Sequence, residues 1–293
     1  MFSKLVSICL PTYNGARYLE ETLYSICAQT YQNFEVIISD DASIDNTIKL
    51  IEEFKKQSDF PVCVLHHTPV GIGANWNNCL EHASGKYIKF LFQDDVMEQD
   101  CVEKMVQVME ENPKVGLVAS KRKFIIEEGM KTEEINQWIA TYGDLQDYLN
   151  LPPVEINILD TSLFGLKSFY GSPLNKIGEP SVVMFRKSIV DEVGYFNEGL
   201  KQILDYEYWY RILKQYPVAI INKPLVQFRL HQNQATNVNR NQKIDDYKLY
   251  EQILYKHYRK LLHPELRKRL YLKYHPYPQF KKRVINKIKR LLK

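Results

Sequence analysis

The sequence predicts an α/β fold: a mostly parallel central sheet flanked by helices, followed by a helical, basic C-terminal extension. Three observations predict it. Apolar runs alternate with amphipathic helical stretches from Lys4 to Ala119, the pattern of strands joined by covering helices. Several of those runs are nearly continuous rather than alternating, as strands buried on both faces are. At 293 residues the chain has room for one large or two modest domains.

Lys4 to Leu10 is the first strand, broken by the turn residues Pro11-Thr12-Tyr13-Asn14-Gly15. Ala16 to Ala28 carries Leu19, Leu23, Ile26 and Cys27 at helical spacing. Phe34 to Ser39 is a second strand ending at Asp40-Asp41, and Asp45 to Lys56 a helix with Ile48, Ile51 and Phe54 inward. Pro61 to His66 is the third strand, Ala74 to Ala83 the third helix, and Tyr87 to Phe92 a buried strand ending near Asp94-Asp95. A helix over 98–111 and a strand over Val115–Ala119 follow. From Ser120 to Lys176 the periodicity weakens, so helices and loops are expected there, either an acceptor-side lid or peripheral packing. Ser181–Phe185 is a strand and Ile189–Val193 a short helix capped by Gly194. Asp205–Tyr216 is an aromatic helix, and Val218–Ile221 and Val226–Leu230 are two strands. The polar stretch Gln232–Gln242 divides a domain over 1–232 from a helical extension over 233–293.

Composition is that of a soluble protein, 45% hydrophobic and 25% charged. No apolar stretch approaches the roughly 20 residues of a membrane-spanning helix. The first strand begins at Lys4, so no signal peptide is expected. Five cysteines form no CxxC pair, which suits free thiols in a reducing cytosol. Charge is uneven. Residues 254–293 carry 14 Lys and Arg against the single acid Glu265, a net +13, leaving the other 253 residues at −9 of the chain's +4. In Phe280–Lys293, Val284, Ile285, Ile288, Leu291 and Leu292 share one helical face among basic residues. That pattern suits an anionic membrane surface, or a helix packed on the body.

Candidate functional residues gather at strand ends, where open parallel sheets bind ligands. Asp is rarely buried unless paired or bound to a cation, so Asp94-Asp95 after a core strand suggests a divalent metal. The alternative is a turn with an Asp helix cap. Arg186 and Arg229 read as structural ion-pair formers. Gly71-Ile72-Gly73 lacks the third glycine of a dinucleotide fingerprint and no phosphate-binding P-loop is present, which argues against a dehydrogenase. A nucleic-acid binder would leave the strand-end acids without a role, since carboxylates repel phosphate.

Four stretches in order resemble glycosyltransferase family 2, of GT-A fold, over roughly Lys4 to His231. They are Leu10-Pro11-Thr12-Tyr13-Asn14, Ser39 through Asp45, Gly85 through Asp95, and Leu204-Asp205-Tyr206-Glu207-Tyr208-Trp209-Tyr210-Arg211. Phe228-Arg229-Leu230-His231 agrees with a fifth. Phe92 stands where the family's metal motif often has its first Asp, and Leu204 where its catalytic pair often has Glu. Ala74-Asn75-Trp76-Asn77 lacks an Arg common there.

The resemblance implies a metal-dependent, inverting sugar transfer using magnesium or manganese. It implies Thr12, Tyr13 and Asp41 at the nucleobase and ribose, with Asp40 beside them, and a UDP- or dTDP-sugar donor. Asn75 and Asn77 would contact ribose or diphosphate. Asp94 and Asp95 would divide metal and ribose contacts, with His231 also on metal or diphosphate. Asp205 would be the general base, and Glu207, two positions along, would face elsewhere. The acceptor would be a saccharide or a lipid-linked saccharide of bacterial-type polysaccharide or lipopolysaccharide synthesis, on the inner face of the cell membrane. Leu204 and Phe92 in place of the family's acids leave a second reading, a nucleotide-sugar binder that has lost transfer.

Overall fold

A computed structural model describes residues 4–234 and 244–281 of the chain. In order these form β1 (Val6–Thr12), α1 (Ala16–Cys27), β2 (Phe34–Asp40), α2 (Thr47–Gln57), β3 (Val62–His66), α3 (Ile72–His82), β4 (Tyr87–Phe90), β5 (Val96–Met97) and α4 (Cys101–Glu111). Then come β6 (Leu117–Ile126), α5 (Glu133–Tyr142), β7 (Ile156–Leu159), β8 (Val183–Arg186), α6 (Ile189–Val193), α7 (Leu204–Leu213), β9 (Val218–Leu230), α8 (Asp246–Ile253) and α9 (Pro264–Tyr274).

The strands join one sheet in the order β3-β2-β1-β4-β8-β6-β9-β5, with β7 on β9. The longest ladders, β1 with β2 and β6 with β9, are parallel. β8 runs antiparallel between β4 and β6. It separates the parallel first half, β3-β2-β1-β4, from the second half of the sheet. All seven residues of β1 are buried, which is why that run reads as continuous apolar sequence.

The first half follows the sequence closely; the second departs from it in three places. β6 does not stop at Ala119 but runs on through Lys121, Arg122 and Lys123 to Ile126. Its outer half is half-buried and pairs with β9, so the apolar pattern fades while the ladder continues. Likewise Val218–Leu230 is one strand, not two. Its centre, Asn222-Lys223-Pro224, is a bulge against Ser120, Lys121 and Arg122, where a proline can sit without breaking the ladder. β7 is a further strand in the stretch expected to be irregular.

The extension is not a separate body. Tyr250, Leu254, Tyr258, Leu262, Leu266 and Leu270 bury in the same hydrophobic core as the sheet strands and α7. Among the described residues no helix is long and apolar enough to cross a membrane. The basic amphipathic segment Phe280–Lys293 lies outside the described residues from position 282 onward.

Leu270 on α9 is fully enclosed. Leu270→Ala should cost about 3 kcal/mol by transfer and cavity terms. Chemical denaturation should remain a single transition for wild type and variant, and a separate early transition would contradict a shared core.

Candidate active site

The carboxyl ends of β1, β2 and β4 lie side by side, so the loops that follow share one rim. The two members of each Asp pair hold different partners. Asp40, 1% exposed, accepts from the Thr12 hydroxyl at 2.7 Å and from the Ser43 N–H and hydroxyl at 2.8 and 2.6 Å. These bonds occupy both its oxygens, so Asp40 and the buried Thr12 shape the rim. Asp41 turns the other way and meets Nδ1 of His67 at 2.8 Å, just beyond β3. His67 was not singled out from the sequence, where it is one of two adjacent histidines after a strand.

Asn14 and Ala42, in the two loops, have φ of +46° and +59°. Left-handed backbone at a non-glycine is uncommon and often held in place at functional sites. Cross-loop bonds hold it here: the Asn14 N–H donates to Ser43 Oγ at 2.8 Å, and the Ile44 N–H to Asn14 Oδ1 at 2.9 Å. Tyr13 stands 55% exposed on this rim. Its backbone is fixed at both ends by the Gln93 amide, which accepts at 2.8 Å and donates at 2.9 Å. An aromatic face on a rigid backbone, beside a carboxylate–imidazole pair, is suited to a nucleobase.

The two asparagines of α3 differ. Asn77 is buried and saturated, donating to the Phe196 carbonyl and to Glu198 and accepting the Phe196 N–H. It clamps a loop and has no group left for a ligand. Asn75 makes one long bond to the Thr12 carbonyl, 3.5 Å, and its Oδ1 has no partner among the described residues.

After β4 the acids separate again. Asp95 is 1% exposed and accepts the Arg229 N–H at 3.0 Å. Its Oδ2 is enclosed without a well-formed hydrogen bond. Burial pushes its carboxyl well above the usual range, Asp94 adds to this, and the Ser181 hydroxyl and Arg229 amide offset it only in part. Asp94 faces His231, with Oδ2 and Nε2 2.9 Å apart. The Tyr18 ring packs on the imidazole at 4.7 Å between centroids. Arg229 holds the Asp94 carbonyl, pairs with Glu21 and lies over the Tyr18 ring. Arg186, by contrast, forms no ion pair among the described residues: it donates to the carbonyls of Met109, Asn112 and Val115.

Adjacent ligands of an octahedral magnesium or manganese, about 2.1 Å from the ion, lie about 3 Å apart. The Asp94–His231 separation matches such an edge. No cluster of three or more acids, histidines or cysteines converges among the described residues. The pair would fit an ion whose remaining ligands come from diphosphate and water; Asp95 lies buried beside it, held by the Arg229 amide.

Asp205 lies at the start of α7. Asn175 donates to its Oδ2 at 3.1 Å, while Oδ1 is enclosed without a well-formed hydrogen bond. Burial pushes its carboxyl up to about 7. The amides of Asp205 and Tyr206 and the Asn175 side chain restrain that rise, and the Glu179 carboxylate adds to it. Glu179 also raises Asp95, so its charge reaches both acids. Its own charge is balanced by Arg122 at 2.6 Å. The loop carrying Asn175 is fixed to α7: the Trp209 indole donates to the Gly178 carbonyl, and the Tyr210 hydroxyl bridges Lys176 and Leu174. Asn175 and Arg122 were not legible as site residues, since their partners are remote in sequence. Glu207, the rival base, pairs with Arg211 and does not face this loop.

A family described as glycosyl transferase family 2 matches residues 7–193. An uncharacterized glycosyltransferase of Rickettsia prowazekii (strain Madrid E) is 26% identical over 242 residues, 83% of this chain and 69% of that protein. A putative teichuronic acid biosynthesis glycosyltransferase of Bacillus subtilis (strain 168), TuaG, is 35% identical over 107 residues, 36% of this chain and 42% of that protein. Among solved structures, S. aureus TarS 1-349 in complex with UDP-GlcNAc superposes with a TM-score of 0.66 at 18% identity, covering 92% of this chain and 73% of that one. At that identity the likeness establishes the GT-A fold alone.

Folding raises the Asp205 carboxyl from about 3.9 in an unfolded chain to about 7. The stability this gives is complete below about pH 4 and is lost as pH rises through 7. Asp205→Asn should therefore be more stable than wild type by on the order of 2 kcal/mol at pH 8, a gain that fades toward pH 4. Chemical denaturation across that range checks this, and a pH-independent gain would contradict burial as its cause.

Proposed function

The chain belongs to glycosyl transferase family 2, and from that premise we propose a metal-dependent, inverting transfer of a sugar from a nucleotide donor to a saccharide or lipid-linked acceptor. The observation that carries this reading is Asp205: one enclosed carboxylate with an oxygen that makes no well-formed hydrogen bond, and a proton affinity near neutrality. A general base works best with a pKa close to the working pH. Cell-surface polysaccharide is the acceptor class favoured, because TuaG, a partial relative, is named for teichuronic acid biosynthesis.

Tyr13 offers its ring to the nucleobase and Asp41, oriented by His67, accepts from a base N–H, which favours uracil or thymine. Thr12 and Asp40 hold that loop in shape. Asn75, whose Oδ1 has no partner among the described residues, would contact ribose or diphosphate. Asp94 and His231 would hold magnesium or manganese against the diphosphate. Such an ion supplies Lewis-acid neutralisation of the leaving charge. Asp205 takes the acceptor hydroxyl proton as that oxygen bonds to the anomeric carbon. The bond to the diphosphate breaks on the opposite side and its electron pair leaves with the diphosphate. One displacement inverts the centre and needs only one protein carboxylate. The basic C-terminal segment would keep the enzyme near an anionic membrane carrying a lipid-linked acceptor.

Release of nucleoside diphosphate should be screened over a panel of sugar nucleotides with magnesium or manganese, then with chelator. Turnover with one donor should be chelator-sensitive, with an acid limb in kcat/KM near pH 7. Asp205→Asn should lower kcat by about 1,000-fold and leave donor affinity unchanged. His231→Gln should raise the metal concentration needed for half activity by about tenfold or more. Full turnover by Asp205→Asn would overturn the assignment of the base.

A further inference from the structure

The C-terminal extension reaches the catalytic helix through one buried side chain. Asp246, the first residue of α8, is 2% exposed. Its Oδ2 accepts three consecutive backbone N–H groups, from Lys201 at 2.9 Å, Gln202 at 2.7 Å and Ile203 at 3.3 Å. Those three residues lead directly into α7, and Ile203 is its N-cap position. No side chain of the helix itself caps this end. Four residues on, Tyr250 is buried edge-on against Tyr206, the neighbour of Asp205, at 5.4 Å between ring centroids.

We infer that Asp246 is a positioning residue for the Asp205 base, so that the extension completes the catalytic unit. The inference rests on the reading of Asp205 given above. Three donors converging on one carboxylate oxygen fix the chain path two residues before Asp205. A charged acceptor makes each of those bonds stronger than a neutral one would. Fixed in this way, the start of α7 keeps Asp205 under cover beside Asn175. Loosening residues 201–203 would admit water to the carboxylate and let its proton affinity fall toward the ordinary Asp range. The titratable groups bearing on Asp205 are Glu179, Tyr206, Tyr210 and Tyr247, the last also from α8. Tyr247 is itself raised by the Asp246 carboxylate, so a change at Asp246 reaches that group as well as the backbone of 201–203. The donor side of the site, on β1, β2 and β4, is built from other elements and should be indifferent to it.

The test compares full-length wild type, Asp246→Asn and Asp205→Asn, with the nucleotide sugar that turns over and with the nucleoside diphosphate alone as binding probe. Asp246→Asn should lower kcat about tenfold and move the acid limb of its pH profile down by about one unit. KM for the donor and affinity for the nucleoside diphosphate should stay within about twofold. Should Asp246→Asn not fold, Asp246→Glu, which keeps the charge on a stem one methylene longer, carries the same test. A kcat that falls with the acid limb unmoved, or no change in either, would overturn the inference and leave Asp246 a structural cap. If Asp205→Asn keeps full turnover, the base assignment itself fails and takes the inference with it. If Asp205→Asn is inactive while Asp246→Asn keeps the wild-type limb, the positioning role alone fails.

Discussion

Burial of the Asp205 carboxylate is the constraint on which the rest of the site depends. An acid in water is a weak base at neutral pH. Enclosed between the aromatic start of α7 and the loop of Asn175, it holds a proton near pH 7 and can still give it up. Keeping it there requires that the loop be fixed, which Trp209 and Tyr210 do from within α7. It also requires that the helix start be fixed, and Asp246 is bonded to the three residues before it. Glu179 then adds like charge without collapsing the site, because Arg122 pairs with it from β6.

The donor side obeys the opposite rule. There the carboxylates act by pairing rather than by burial alone. Asp41 meets His67 and Asp94 meets His231, while each one's chain neighbour turns inward to hold backbone. Asp40 ties the loop after β2, and Asp95 ties β9 to the end of β4. In each pair one acid binds backbone amides and the other meets a histidine.

Much of this was legible in the sequence. The buried strands of the first half announce themselves because both faces are covered, and each strand end carries its polar residues in order. Which acid of each pair points outward was not legible, since adjacent letters carry no register. The outer half of β6 was missed because Lys121, Arg122 and Lys123 sit on a half-buried strand whose partner lies about a hundred residues away. Asn222-Lys223-Pro224 looked like a break because a bulge and a loop share the same composition. Asn175 and Asp246 were hidden for one reason: each acts on a group distant in sequence, and no local pattern records such a bond.

Inversion by a single carboxylate is the central claim. Proton NMR of the sugar released in the earliest turnovers, with water as acceptor, tests it without knowledge of the natural acceptor. The account predicts that the first anomer formed has the configuration opposite to that in the donor. First release of the same anomer would contradict it, because retention calls for a second nucleophile that Asp205 alone does not provide.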